Sequence, residues 1–238
     1  MQIINADSST TWLSDYGKGC TENYGTYKVT YFGKNISTYK YTNTKVGTLL
    51  KNSSYYHWAS DHYGSLYVTP TDTSYSMSTG SSTYTGESTY DTATQAFTGY
   101  NYFSDSSTYI YNKTQYGYLS QGKTVFSSKS RIVEIQSNSY TDGNNYYEST
   151  VTIPLVYDNS CRAYASPGPL MVSMAMSIPV SGHLVVKYKQ DGVSGEFEID
   201  YGSGSCDTLV TVFENGIIVV LDLKQNYYPG TMSPLAAH

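Results

Sequence analysis

Tyrosine fills the place that leucine and alanine hold in most chains, and this limits what the chain can fold into. There are 28 Tyr among 238 residues, beside 6 Phe and 2 Trp. Of these Tyr, 22 fall within residues 1–149, interleaved with Ser, Thr, Gly and Asn, and six follow. Aromatic and β-branched side chains lose rotamer freedom against the preceding turn of a helix and fit a pleated surface well. Ala and Leu are scarce and no long stretch repeats every 3.6 residues. The expected fold class is therefore all-β. Tyr also offers a flat apolar body with one polar tip and only two torsions to freeze, so a Tyr/Ser/Gly/Asn surface has the composition of a contact surface more than of a catalytic pocket.

Two hairpins can be read with their register. His183-Leu184-Val185-Val186-Lys187-Tyr188-Lys189-Gln190 is followed by Asp191-Gly192 and then by Val193–Tyr201. Asp-Gly between such runs predicts a type I′ turn, because both turn residues must tolerate positive φ. The pairing then sets Gln190 against Val193, Val186 against Phe197 and Leu184 against Ile199. On the other face Lys187 meets Glu196, while Tyr188 covers Gly195. The second hairpin joins Thr208–Glu214 to Ile217–Leu223 through Asn215-Gly216. It sets Val212 against Val219, Val210 against Leu221 and Phe213 against Ile218. Both of its faces are apolar, so it is expected to be buried on both sides.

Composition shifts near residue 150. Six of the seven prolines and most of the dense Val/Ile/Leu content lie beyond it. Residues 1–149 read as a Tyr/Ser/Thr/Gly-rich β region and contact surface, and residues 150–238 as a compact β domain. Upstream of the hairpins, Tyr146–Tyr157 and Leu170–Val180 read as strands, with Pro179 at an edge or bend. Weaker strands are expected at Thr26–Phe32, Ser65–Thr69, Ala96–Phe103, Ser107–Tyr111 and Thr124–Gln136. Thr71–Tyr90, rich in hydroxyls, is expected as an exposed loop or mobile β segment. Ser-Thr-Tyr recurs at 37–39, 82–84, 88–90 and 107–109 with irregular spacing, which is compositional bias and not a solenoid repeat.

Short strands with turn signals every 8–12 residues or so are the pattern of an antiparallel sandwich. Ser181-Gly182-His183-Leu184-Val185-Val186 and the two hairpins resemble the Ig-like β-sandwich modules of bacteriophage virions and bacterial surface proteins. The resemblance covers roughly a third of the chain, lacks the Cys…Trp…Cys spacing of antibody-type domains, and carries no site with it. It implies an Ig-like antiparallel β-sandwich in the C-terminal part.

The chemistry-bearing residues are sparse. His57-Trp58-Ala59-Ser60-Asp61-His62, beside Tyr55, Tyr56 and Tyr63, reads as an exposed aromatic loop. Two His five apart share neither a helix face nor a strand face, which argues against a metal site. Asp200–Asp207 holds small residues around hydroxyls and a thiol but no nucleophile elbow, and His183 is the only base near in sequence. Glu87 and Asp91 are the closest carboxylates of the Tyr-rich tract and read as solubilising. There is no CxxC, and Cys20, Cys161 and Cys206 are expected as three reduced thiols; Cys161 and Cys206 bridge if the compartment oxidises them. The three Asn-X-Ser/Thr sequons at Asn35, Asn52 and Asn112 match chance in so Asn-, Ser- and Thr-rich a chain. No catalytic, cofactor-binding or metal-binding residues are expected, and no cofactor. The candidate binding surface is Tyr55, Tyr56, His57, Trp58, His62, Tyr63, Tyr84, Tyr90, Tyr100, Tyr102, Tyr109, Tyr111, Tyr116 and Tyr118.

Charge narrows the partners. Charged residues make up 14% of the chain, against a usual value of roughly 25%. Net charge is −5, and no Lys/Arg run supplies a phosphate-tracking groove, so nucleic acid is not an expected partner. No apolar run reaches the roughly 18 residues of a membrane helix. The segment Met1–Asp7 shows no secretory signal. The expectation is a non-enzymatic structural or adhesive protein on a virion or extracellular surface, an accessory capsid or tail component that forms oligomers or meets a receptor. The alternatives are a carbohydrate-binding module of a bacterial surface protein and a β-pore-forming toxin, whose inserting strands Ser74–Thr98 would supply.

Overall fold

The computed structural model describes residues 1–161, 163–164, 175–176, 179–204, 206–207 and 209–222. Within them the chain is all-β and antiparallel. The strands are β1 (Gln2–Ile4), β2 (Thr10–Asp15), β3 (Cys20–Asn23), β4 (Lys28–Val46), β5 (Leu49–Val68), β6 (Thr73–Asp91), β7 (Phe97–Tyr111), β8 (Thr114–Ser127), β9 (Ser130–Asp142), β10 (Asn145–Asp158), β11 (Ala163–Tyr164), β12 (Ala175–Met176), β13 (Ser181–Gln190), β14 (Val193–Ser203), β15 (Leu209–Glu214) and β16 (Ile217–Asp222). All but β11 and β12, which pair only with each other, form one open 14-stranded sheet. Its order is β1-β2-β4-β5-β6-β7-β8-β9-β10-β13-β14-β15-β16, with β3 beside β4.

This is a meander of unusual strand length. β5 runs 20 residues, about 65 Å at a rise near 3.3 Å, where strands of five or six are usual. From β4 to β10 and from β13 to β16 the connections are short, so each strand lies beside its predecessor and the ladder propagates from one hairpin to the next. Both sequence-read registers are present. Gln190 pairs with Val193, Val186 with Phe197, Leu184 with Ile199 and Lys187 with Glu196. Tyr188 lies across Gly195 so closely that a Cβ there would meet its hydroxyl at 2.4 Å. Both turns take the positive φ that a type I′ hairpin requires: Asp191 52° and Gly192 84°, Asn215 50° and Gly216 79°.

Several expectations are corrected. Among the described residues no sandwich is formed: β13–β16 extend the same sheet edgewise, because β10 pairs with β13 and continues the ladder. The composition boundary at 149/150 falls inside β10. The Asn215-Gly216 hairpin is buried on one strand only. Val210 and Val212 are buried, but Ile217, Ile218, Val219 and Val220 are exposed, because β16 is the last of the described strands in the sheet order. Thr71–Tyr90 is not a loop: most of it is β6, held between β5 and β7 by a full ladder. Its hydroxyls find cross-strand partners, as in the 2.9 Å pair of Ser60 and Ser78. Thr124–Gln136 is divided by the turn between β8 and β9, and Ala96–Phe103 and Ser107–Tyr111 merge into β7. The strand expected at Leu170–Val180 lies largely outside the described residues.

Among the described residues the buried hydrophobic side chains are only Val29, Leu155, Cys161, Val180, Val186, Val210 and Val212. Six of these sit in or beside β10–β15, which makes this end of the sheet its core. A disulfide ties the same end together. Cys161, after β10, bonds Cys206, between β14 and β15. This replaces the expected pair of reduced thiols, while Cys20 is free and exposed on β3.

The bridge closes a loop with a sequence separation of 45. On the chain-entropy model such a loop stabilises the fold by about 4 kcal/mol. Reduction, or Cys161→Ser, is expected to lower the denaturant midpoint accordingly. Alkylation of the native, unreduced chain should modify Cys20 alone, and labelling of all three cysteines would show that the bridge does not form.

Candidate functional site

The site is a face of the sheet. Directly opposed residues in adjacent strands project to the same side, and successive residues alternate sides. The registers therefore assign each side chain to a face. One row runs Tyr39, Tyr56, Tyr84, Phe103 and Gly122 across β4–β8. Another runs Tyr118, Tyr140, Tyr147, Tyr188 and Gly195 across β8–β14. Trp12, Ser37, Trp58 and Ser82 lie on the same side. We call this the aromatic face.

Its rings pack against one another within the plane of the layer. Tyr118 and Tyr140 have centroids 5.1 Å apart, Tyr116 and Tyr140 6.4 Å, and Phe97 and Phe126 5.2 Å. Glycines leave room beneath them: a Cβ on Gly122 would meet the Phe103 ring at 2.3 Å, and one on Gly99 the Phe126 ring at 2.5 Å. The polar tips are tied down. The Tyr84 hydroxyl donates to Asn101 Oδ1 at 2.7 Å, and that of Tyr188 to Glu214 Oε1 at 3.0 Å. Two charges of this face are engaged too. Arg131 stacks 4.0 Å over the Tyr157 ring and Asp105 accepts from Ser107 at 2.8 Å.

The opposite face differs in kind. It carries Lys40, Lys51, Glu87, Lys123, Glu148, Lys187, Lys189, Glu196 and Glu198. Lys187–Glu196 at 3.6 Å and Lys123–Glu134 at 2.6 Å form ion pairs there. We call this the charged face.

The sequence-selected residues divide between the two. Tyr56, Trp58, Tyr63, Tyr84, Tyr90, Tyr109, Tyr111, Tyr116 and Tyr118 lie on the aromatic face. Tyr55, His57, Tyr100 and Tyr102 lie on the charged face, where His57 Nδ1 meets Thr83 Oγ1 at 3.2 Å and the Tyr102 hydroxyl accepts from Gln121. The segment expected as a loop is the middle of β5, and its Trp58 and His57 therefore point apart. His62 sits in a β-bulge with φ 49°, its ring 2.6 Å from Asp61, and Gly33 opposite has no room for a Cβ. The bulge adds one residue to β5, which returns Tyr63 to the side of Trp58. Sequence reasoning missed Tyr39, Tyr140, Tyr147 and Tyr188; the Tyr188–Gly195 pairing was the signal that leads to the last of them.

Two shallow grooves run along β10, β13 and β14, lined by residues such as Tyr146, Tyr188, Lys187 and Glu196. His183 bridges Thr152 Oγ1 at 2.6 Å and Glu198 Oε2 at 3.2 Å, the atom order of a nucleophile, base and orienting acid. Thr152 Oγ1 also contacts the His183 carbonyl at 3.5 Å, and the trio lies on an open sheet face, so its chemistry is that of a cross-strand hydrogen-bond chain. Glu87 faces Tyr100, whereas Asp91 caps a turn through Ala93 and Thr94, so the two acids do not form a pair. Among the described residues no three His, Cys, Asp or Glu side chains cluster as a metal site would require. Comparison with protein-family models, curated proteins and solved structures returns no match.

The aromatic face carries a pH signature. Burial, reinforced by Tyr157 and Tyr147, pushes the Tyr201 hydroxyl up to about 12, against roughly 10 in an unfolded chain. The folded state holds this proton more tightly, so its contribution is complete below pH 10 and is lost as pH rises towards 12. On the charged face Tyr146, hydrogen-bonded to Glu148, is likewise raised to about 12. Stability measured by denaturant titration should fall across this window, and less steeply in Tyr201→Phe. An unchanged slope in that variant would exclude Tyr201 as a source.

Proposed function

We propose that this chain is a non-enzymatic structural or adhesive protein, working outside the cell as an accessory capsid or tail component of a virion, and that it acts by laying its aromatic face against a protein partner. The observation that carries the reading is the division of the sheet. Aromatic rings gather on one face and most charges on the other, yet the aromatic face is left uncovered. Trp12 is 48%, Tyr41 64% and Tyr118 47% exposed. Broad exposed aromatic area on a folded chain marks an interaction surface, and a sheet with an apolar face is ordinarily packed against a second layer. In this reading the partner supplies that layer, so the sandwich expected of residues 150–238 arises between chains.

The dimensions are adequate. Strands β4–β10, about 4.8 Å apart and overlapping for ten or so residues, offer roughly 1,100 Å² of projected face. A standard interface takes roughly 800 Å² from each partner. Tyr is the residue of choice there because its ring is already held by in-plane neighbours and little side-chain entropy remains to be lost. The Cys161–Cys206 disulfide supports an oxidising setting.

A carbohydrate-binding role draws on the same face, where Tyr84 meets the Asn101 amide and Tyr56 and Trp58 share its side. It loses the His57 and His62 contribution, since those side chains lie elsewhere. A pore-forming role is less favoured. β6 and β7 carry hydroxyls on both faces, whereas a membrane barrel needs an apolar band on one.

The test uses two matched triple variants. Tyr56→Ser/Trp58→Ser/Tyr84→Ser strips the aromatic face; Tyr55→Ser/Tyr100→Ser/Tyr102→Ser strips the charged one. Co-sedimentation with virus particles and cell envelopes of the source should fall tenfold or more for the first and stay near the parent for the second, both retaining a β-type far-UV spectrum. Equal loss in both, or binding confined to a glycan array, would overturn the reading.

A further inference from the structure

We propose that β16 docks edge to edge with β16 of a second copy of this chain, antiparallel about a two-fold axis passing at Val219. The inference concerns the sheet edge and is independent of what covers the aromatic face. β16 closes the strand order and pairs with β15 alone among the described strands. Ile217, Ile218, Val219 and Val220 are 65%, 64%, 44% and 61% exposed. Successive residues alternate sides, so the strand is apolar above and below the sheet as well as open along its edge. Edges are normally protected by Pro, Lys, bulges or fragmentation. The opposite edge is broken into the short strands β1, β2 and β3 and bears Asp15 and Glu22. β16 has no Pro, no Lys and no register shift.

The turn fixes which backbone groups point outward. In a two-residue hairpin the residues flanking the turn, Glu214 and Ile217, exchange both hydrogen bonds, and such pairs then alternate along the ladder. Ile217, Val219 and Leu221 therefore bond inward to β15, and Ile218 and Val220 present N–H and C=O outward. A partner strand must also be apolar on both faces. Among the described strands β15 and β16 come nearest to this, and β15 is already paired on both sides. The fitting occupant is β16 of another copy.

Parity then selects the register. Outward groups must meet outward groups, so even-numbered residues pair with even-numbered ones. The choice that matches apolar to apolar throughout sets Ile218 against Val220, Val219 against Val219 and Ile217 against Leu221. Centring one residue later would set Ile218 against Asp222. Even-to-even pairing also keeps the aromatic faces of the two copies on the same side. One strand on each side buries less than a standard interface, so a dissociation constant on the order of tens of micromolar is expected.

Sedimentation of the intact chain over a concentration series up to several hundred micromolar should show monomer passing to dimer. Val220→Pro removes an outward N–H without touching the β15 ladder and should weaken the dimer by roughly tenfold or more. Ile218→Lys should do the same by setting a charge against Val220 of the partner subunit, and far-UV spectra confirm that both variants fold. In a Cys20→Ser background, Val219→Cys should form a disulfide-linked dimer under oxidised glutathione faster than Val220→Cys, because only position 219 meets itself. A chain that stays monomeric, a dimer indifferent to both edge variants, or faster linkage through position 220 would overturn the proposal. A dimer lost only when Tyr56, Trp58 and Tyr84 are replaced would move the contact to the aromatic face, overturning the edge while leaving the functional reading intact.

Discussion

The cross-strand side-chain pair carries the stability that a core supplies in other folds. A single-layer sheet has no second layer to pack on, so apolar area must be withdrawn from water sideways, between neighbours about 5 Å apart in the plane. Large flat rings suit this geometry because a ring lying along the sheet covers the position beside it. The pairs Tyr188–Gly195, Phe103–Gly122 and Phe126–Gly99 show the arrangement directly. The glycine is needed because its neighbour's ring occupies the space a Cβ would take. Ser and Thr complete the scheme by bonding across strands, as between Thr11 and Thr38 or Thr21 and Thr30. The tyrosine excess and the scarcity of buried hydrophobic side chains among the described residues thus have one cause.

How much of this was legible follows from range. The Asp191-Gly192 and Asn215-Gly216 hairpins were readable because turn chemistry fixes the register locally and the charge and ring pairs then agree with it. The lateral order was not readable. A run such as Val210-Thr211-Val212-Phe213 is equally apolar whether it lies inside a sandwich or next to the last strand of an open sheet. That ambiguity produced the expected burial of Val219. Thr71–Tyr90 reads as an exposed loop or mobile β segment because Ser, Thr and Gly serve as turn residues in isolation. Between two long strands the same hydroxyls are satisfied, and the segment pairs from Thr73 onward.

The candidate surface was legible in composition but not in facing. Tyr55 and Tyr56, or His57 and Trp58, look like one cluster in sequence, yet a strand sends neighbours to opposite sides. The bulge at Asp61–His62 adds a further inversion that only the register shows. Without it Tyr63 would lie with His57; with it Tyr63 joins Trp58, and its ring comes within 6.2 Å of Tyr16. Sorting the same residues by parity turns a tract rich in tyrosine into a sheet with one aromatic and one charged side.

That sorting links the two proposed contacts. A sheet that adds strands at its edge can present the same face throughout or reverse it at the junction. Antiparallel pairing of a strand with its own copy decides between these, because outward hydrogen-bonding groups, here those of Ile218 and Val220, meet their like, so opposed residues share a parity and a side. Pairing two such edges preserves the face, so the aromatic surface of one copy continues into that of the next and the charged side stays in solvent. Doubling the number of binding faces on one rigid sheet makes a second attachment intramolecular, and weak individual contacts then combine into firm adhesion. On the proposed reading a loose edge contact is sufficient, since a partner surface occupying both faces would also hold the two copies together.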